Sequence, residues 1–499
     1  MPSDIRRLLI ECSHTFYDGQ RTGIQRVVRQ LVAHGPGSGP DNVTAAPVIW
    51  TPLGFSEIEG LPARGRWPFR LIKAVAGGIY RAMTPTQRAE DGDGIKAAGP
   101  TSASSVESQT GGSDDGTAND AVNVAGRAAG EHAPRLNRDG GAGRRGLTAF
   151  AKRVTYSTAC LLSQSITTLR GRTTLGAGDV LLLADASWNQ PMWRDVAHAK
   201  ARGCKIGIVL YDLIALEHPE WFDRPLALNF SEWIDNALTH ADFFLPISQT
   251  TGDALRRVAA ARGMAEPKIA VIPMGVDQEF GGREGTKALR HKGTEGKNPS
   301  VADATPVANS LGASVPQCLS AFPPGPVCLS VGTIEPRKNH ALLLAAFDQV
   351  WQQSPEITLA LVGRRGWQCG PIVTAIESHP QFNRRLFWFD RADDATLEAL
   401  YRRAALLTVP SRAEGFGLPI IEGLIRHVPV LCADIPIFRE VGGAACTYTP
   451  HDPAAWALQI HHLIAHPPQR ITDFSWPNWS AAVAEAVNTA VSIAARGTS

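Results

Sequence analysis

Short apolar runs alternate along most of the chain with stretches whose apolar positions recur at helical spacing. On the N-terminal side the runs predict strands at Arg7–Cys12, Val43–Trp50, Asp179–Ala184, Lys205–Tyr211, Phe243–Ile247 and Ile269–Pro273. Helices are predicted at Gly23–His34, Met192–Arg202, Leu226–Thr239 and Thr250–Arg262. On the C-terminal side the predicted strands are Val327–Val331, Ile357–Val362, Leu386–Phe389, Leu406–Val409 and Val428–Ala433, separated by helices at His340–Gln352, Ala395–Arg403 and Leu418–Arg426. Continuously apolar strands alternating with helices imply parallel sheets covered on both faces. The expected architecture is α/β, with two Rossmann-like domains facing each other across a cleft.

Two segments break the pattern. Residues 90–146 and 281–320 contain no aromatic residue and are rich in small and polar ones, so they bury too little apolar surface to offset their ordering entropy. Both are expected to be disordered. The expected organisation is an N-terminal domain over 1–275 with the first segment inserted in it and a linker over 276–325. A C-terminal domain follows over 326–470, and a helix within 471–499 is expected to pack back on the N-terminal domain.

A length of 499 residues fits two domains better than one core. The 49 basic and 47 acidic residues leave a net charge of +2, which argues against nucleic acid as a partner. The eight cysteines include no C-x-x-C pair and read as reduced thiols of a cytoplasmic protein. The opening MPSDIRRLLIECSH lacks the apolar core of a signal peptide, and no run approaches a membrane span.

Ligands of open parallel sheets bind beyond the carboxyl ends of the strands, so the residues after each strand carry the chemistry. Val331 is followed by Gly332, Thr333, Ile334, Glu335, Pro336, Arg337, Lys338 and Asn339. Adjacent Arg337 and Lys338 suit an anion, Arg as a bidentate fork and Lys as a point charge. Taken alone, the pair would read as a solvated turn. Val409 is followed by a loop holding Glu414, Gly415, Phe416 and Gly417, and then by Leu418 and Pro419, where a helix should start. The glycines allow close backbone approach, and carboxylates at Glu414 and Glu422 flank a stretch of amides suited to phosphate and sugar hydroxyls. The competing reading has Glu414 capping the helix and Glu422 facing solvent.

The Glu414-to-Glu422 spacing with its GFGLPII interior, together with VGTIEPRKN, LVGRRGW, DDATLEALYRRA and VIPMGVD, resembles the retaining, nucleotide-sugar-dependent glycosyltransferases of family 4. That resemblance covers nearly all of the chain outside the two low-complexity segments, and it implies the GT-B fold. It implies that Glu414 lies beside the donor sugar and that Glu422 holds the ribose. Main-chain N–H groups of Gly415, Phe416, Gly417 and Leu418 would meet the sugar and diphosphate. Lys338 and Arg337 would neutralise the leaving diphosphate near Gly332, and Arg391 and Ala392 would adjoin the base. Thr333 stands where many relatives carry an additional Arg.

On the N-terminal side, the glycine turn containing Thr22 and Gly23 opens a helix and by itself fits a phosphate or acceptor oxygen as well as it fits a simple strand-to-helix turn; it is similar to the family's glycine loop that closes over the diphosphate. Tyr211, Asp212 and His218 resemble an acceptor-side stretch in which Tyr211 replaces a His. Ser248 resembles a further family element, with helix capping as its expected role.

No cofactor and no metal are expected, the nucleotide-diphosphate sugar being a co-substrate. Asp91-Gly92-Asp93 matches a metal-binding pattern but falls in the low-complexity segment. Residues 64–88 and 144–172 each hold six basic residues and no acidic one, with aromatic and aliphatic residues interleaved. They suit an anionic membrane surface at the inner face of the plasma membrane, or else form solvated helices.

The expected activity is hexose transfer with retention to a glycan or polyprenyl-linked oligosaccharide, in the assembly of a surface polysaccharide such as lipopolysaccharide. Mannose from GDP-mannose comes first by resemblance to bacterial mannosyltransferases. UDP-sugar-dependent glucosyl or rhamnosyl transfer and a non-catalytic sugar-nucleotide-binding protein are the alternatives.

Overall fold

A computed structural model of the chain describes residues 5–18, 23–51, 53–62, 169–277, 322–468 and 474–496. Both low-complexity segments, most of the two basic stretches and the Asp91–Asp93 pattern lie outside these residues.

Two sheets organise the described chain. The first has the order β4-β3-β2-β1-β5-β6-β7, with β1 at Arg7–Glu11, β2 at Thr44–Thr51, β3 at Gly54–Ile58, β4 at Leu169–Arg172, β5 at Asp179–Leu183, β6 at Lys205–Leu210 and β7 at Phe243–Pro246. The second has the order β10-β9-β8-β11-β12-β13, with β8 at Val327–Val331, β9 at Thr358–Val362, β10 at Leu386–Phe389, β11 at Leu406–Val409, β12 at Val430–Ala433 and β13 at Thr447–Thr449. Strands β5, β9, β11 and β12 are buried at every position, as continuously apolar central strands must be.

The sheets differ in one respect from the expected all-parallel pattern. The second is parallel throughout, whereas β2–β3 and β3–β4 pair antiparallel at one edge of the first. Thr51 and Gly54 close the β2–β3 hairpin, Gly54 at a φ of 110° that favours glycine. Ile269–Pro273, expected as a strand, makes one isolated bridge to β7. Phe244 donates to the Lys268 carbonyl at 2.8 Å and Ala270 and Ile272 donate back, but Pro246 has no N–H to continue the ladder.

Strand order locates the functional edges. Connections from β1 run outward through β2, while β5 lies on the other side of β1; β8 likewise stands between β9 and β11. The crevices at the carboxyl ends of β1/β5 and β8/β11 are therefore the switch points where ligands bind in such sheets. The loops after β8 and β11 are the ones that carry Lys338 and Glu414.

Two segments cross between the halves side by side. Val276 bridges Asn478, and the Trp476 indole donates to the Met274 carbonyl at 2.7 Å. Gly275 has no room for a side chain, since a Cβ there would stand 2.6 Å from the Trp479 Cα. The Trp479–Ala495 helix then packs on the Gly23–His34 helix and on β6 and β7. It buries Val483, Val487 and Val491 on one stripe, and its N-terminus is capped by Asn478.

Candidate active site

The β8 loop leaves the sheet through Gly332 and forms a short 3₁₀ turn at Pro336–Lys338. Asn339, in the left-handed region at φ 55°, starts the His340–Gln353 helix. The stem of Lys338 lies over Gly332, where a Cβ would stand 3.4 Å from its Cδ and Cε. The β11 loop is tied to this turn by Arg412, whose N–H donates to the Arg337 carbonyl at 2.8 Å. It ends at Gly417, φ 104°, ahead of the Leu418–Leu424 helix; a Cβ there would stand 2.9 Å from the Phe438 ring.

These two loops converge on one carboxylate. Glu414 accepts from Arg337 Nη1 at 2.6 Å, from Ser411 Oγ at 2.8 Å and from Lys338 Nζ. Burial would raise the Glu414 carboxyl, but the two cations overcome it and hold the group at about 2. Arg337 also pairs through Nε with Glu335 at 2.7 Å, without hydrogen-bond geometry. The Glu335 carboxyl is pushed up by burial against the opposing pull of Arg337 and Lys338. Asp212, from the N-terminal half, faces the same group; burial raises its carboxyl and the nearby Arg337 pulls it back. Three carboxylates thus surround two cations, leaving Arg337 and Lys338 fixed in place by counter-charges that an incoming anion would have to replace.

The halves meet tightly around this cluster. A Cβ on Gly415 would stand 2.2 Å from the Tyr211 carbonyl oxygen and 3.1 Å from the Asp212 Cβ, so only glycine allows the approach. Ser248 both caps the Gln249–Ala261 helix and donates through Oγ to the Gly415 carbonyl at 3.1 Å. The Glu440 carboxylate, from the C-terminal half, accepts from the Gln249 and Thr250 amides at 2.6 and 2.9 Å at the same helix end. Phe416 packs edge-on against Trp476 of the crossing segment, with ring centroids 5.9 Å apart.

Glu422, expected on the ribose, has both oxygens engaged. Oε1 accepts from Arg26 Nη1 at 2.8 Å and Oε2 from the Tyr401 hydroxyl at 2.9 Å. Arg26 also bonds Asp277 and lies 5.8 Å from the Trp479 ring centre.

The other sequence candidates are less tightly grouped. Leu418 begins the helix after Gly417 and is half-buried. Arg391 and Ala392 sit in the turn after β10, the Arg391 side chain 87% exposed and 3.8 Å from the Asp390 carboxylate. Gly23 opens its helix with nothing near its Cβ position, and Thr22 lies outside the described residues. The Tyr211 hydroxyl is turned away into the N-terminal half, donating to the Ala184 carbonyl at 2.6 Å, so only its main chain reaches the cleft. His218 bonds Glu220 at 3.2 Å and stacks on Trp221, outside the charged cluster. Glu335, Ser411, Arg26, Asp277 and Tyr401 join the site without having been singled out in the sequence. Glu335 stands inside the VGTIEPRKN motif, and Arg26 lies three residues after Gly23. Among the described residues no three His, Cys, Asp or Glu side chains are grouped to hold a metal ion.

Residues 325–466, which contain β8 to β13 and the Glu414–Arg337–Lys338 cluster, match the family model described as Glycosyl transferases group 1. The C-terminal half is a glycosyl transferases group 1 domain. Over 312 residues the chain is 29% identical to the serotype-specific mannosyltransferase WbdA of Escherichia coli, covering 60% of this chain and 36% of that protein. Over 150 residues it is 33% identical to the O-antigen chain mannosyltransferase B of Escherichia coli, covering 30% of this chain and 37% of that one. The chain thus spans about a third of the length of these curated relatives. The N-terminal domain of Candida albicans trehalose-6-phosphate phosphatase is similar in structure, with a TM-score of 0.53 at 13% identity, over 100% of this chain and 96% of that one. That likeness concerns the fold. Within the glycosyl transferases group 1 domain, the switch-point loops after β8 and β11 supply every charged group of the cluster except Asp212.

Proposed function

We propose that this chain is a retaining, metal-independent glycosyltransferase that moves a hexose from a nucleotide-diphosphate sugar to a glycan or lipid-linked oligosaccharide, in cell-surface polysaccharide assembly at the cytoplasmic face of a membrane. The observation that carries this reading is the convergence of Arg337 and Lys338 on Glu414 at the β8/β11 switch point. Two fixed cations suit the charge that develops on a departing diphosphate, and a preorganised cluster needs no rearrangement as that charge forms. Glu414, freed from its cations by the diphosphate, would face the sugar carbon. A carboxylate there would stabilise oxocarbenium character during attack from the same face. The amides of Gly415 to Leu418 would take the sugar and phosphate oxygens, and Glu422 the ribose. Close apposition of Gly415 to Tyr211 and Asp212 would keep water from the donor.

Mannose from GDP-mannose is the first assignment, supported by the likeness to mannosyltransferases. Calorimetry with GDP, UDP and their sugars tests it. The expected result is tight binding of GDP-mannose, weakened at least tenfold by Lys338→Ala. Preferential binding of a UDP-sugar would move the assignment to glucosyl transfer, and binding of none would remove the donor reading.

A further inference from the structure

Two loops diverge from the charged cluster, one in each half, and meet again at an aromatic contact. In the N-terminal half, the chain runs from Asp212 through the Ile214–Glu217 turn of helix to Pro219–Trp221 and Phe222. In the C-terminal half, the loop after β9 is fastened beside Glu335 by the Gly366 amide, which donates to the Ile334 carbonyl at 3.0 Å, and it then presents Trp367. There the Phe222 and Trp367 rings stack with centroids 5.5 Å apart and planes 28° from parallel. One step back along the first loop, His218 and Trp221 stack at 3.9 Å and 10°.

Trp367 is 37% exposed, the one aromatic among the large apolar side chains that stand out from the described surface. A contact needed only to hold the halves together would gain most by burying its rings; this one leaves Trp367 more than a third exposed. Polar groups flank it. Glu220, 61% exposed, fixes the His218 ring through Nδ1. Arg365, which pairs with Glu377, lies over the Trp388 ring at 5.1 Å. Flat aromatic faces bordered by exposed hydrogen-bonding groups match a pyranose, which presents a C–H face to a ring and its hydroxyls to the rim.

We propose that Trp367, backed by Phe222, and the neighbouring His218–Trp221 pair form a shelf on which a sugar ring of the acceptor stacks at the mouth of the cleft. The role of that sugar as acceptor rests on the transferase reading; the shelf itself binds saccharide without any donor. It assigns recognition to the carbohydrate of the acceptor rather than to a lipid carrier. Loops from both halves build it, so it is complete only when the halves are closed.

Saturation-transfer NMR on the full chain, without nucleotide, tests this with methyl glycosides of mannose, glucose, galactose and rhamnose and with α-linked mannobiose. The expected result is contact through ring C–H protons for at least one of them, weakened about tenfold in Trp367→Ala and largely kept in Trp367→Phe. GDP and UDP binding, followed by calorimetry, should be the same in all three proteins. Equal saccharide binding by wild type and Trp367→Ala, or none by wild type across the panel, overturns the shelf. Saccharide binding that depends on Trp367 in a protein that turns over no nucleotide sugar would leave the shelf standing and remove the transferase reading.

Discussion

Arg26 of the N-terminal half reaches across the cleft and donates to Glu422 of the C-terminal half at 2.8 Å. With Tyr401 on the other oxygen, it occupies the carboxylate we propose for the ribose hydroxyls. The Glu422 side chain is 5% exposed and the Arg26 side chain 28%, so this ion pair is largely shielded from solvent.

Arg26→Ala should therefore act in two directions. The loss of its cation leaves Glu422 with Tyr401 as its described side-chain partner, and stability should fall by about 2 kcal/mol, read as a lowered melting temperature. Donor affinity, measured by calorimetry, should rise several-fold, because a competitor for Glu422 is gone. Weaker donor binding in this variant would mean that Arg26 itself holds the nucleotide.

Gly415→Ala should separate the halves. A methyl group cannot share space with a carbonyl oxygen 2.2 Å away, so the loop or the Tyr211 segment has to withdraw. The expected outcome is a fall of about a hundredfold or more in kcat/KM, with far-UV circular dichroism unchanged, since the strain falls between domains rather than within one. Activity close to wild type would show that the Gly415–Tyr211 apposition is not part of the working state.

Acid should loosen the cluster at Glu414. Its folded value of about 2 lies below the ordinary 4.5, so the stabilisation it gives is complete above pH 4.5 and is lost as the pH falls from there toward 2. A shift of that size corresponds to about 3 kcal/mol. Denaturant titrations at pH 5 and pH 3 should show the loss in wild type and a shallower one in Glu414→Gln.

Glu11 behaves in the opposite sense. Burial first, and then the neighbouring Asp185, raise its carboxyl from 4.5 to about 8, while its Oε1 accepts from the Ser13 amide at 2.8 Å. The native state therefore holds a proton that the unfolded chain has released. Its contribution is complete below pH 4.5 and is lost as the pH rises toward 8. Melting temperatures should decline over this range in wild type and stay flatter in Glu11→Gln. Parallel curves would remove Glu11 as the group responsible.

Local pattern made much of this molecule legible. Central strands such as β5 and β9 are buried on both faces and read as unbroken apolar runs, and Pro419 marks the start of the Leu418–Leu424 helix. The β3 strand, Gly54-Phe55-Ser56-Glu57-Ile58, was not legible, because it is short, carries polar residues and is held between the hairpin partner β2 and a second antiparallel partner beyond residue 168. In the site, Arg337, Lys338 and Glu414 could be nominated, since the loops that carry them follow strands. Their mutual pairing could not, because residues 337 and 414 meet only through the β8–β11 neighbourhood. The Arg26–Glu422 pair is more remote still: each residue type is ordinary at its own position, and the contact exists only once two sheets face each other. Tyr211 shows the converse, a residue in the right loop whose hydroxyl the packing turns inward to Ala184.

Sugar transfer from a nucleotide donor should depend on Glu414, which Arg337 and Lys338 hold in the free protein. The most direct measurement is nucleotide release from GDP-mannose by wild type and Glu414→Ala, with and without a lipid-linked glycan extract. Release stimulated by the extract and reduced about a thousandfold in a Glu414→Ala protein that still binds GDP is the predicted result. Release at the wild-type rate by a folded Glu414→Ala protein would show that Glu414 has no part in transfer.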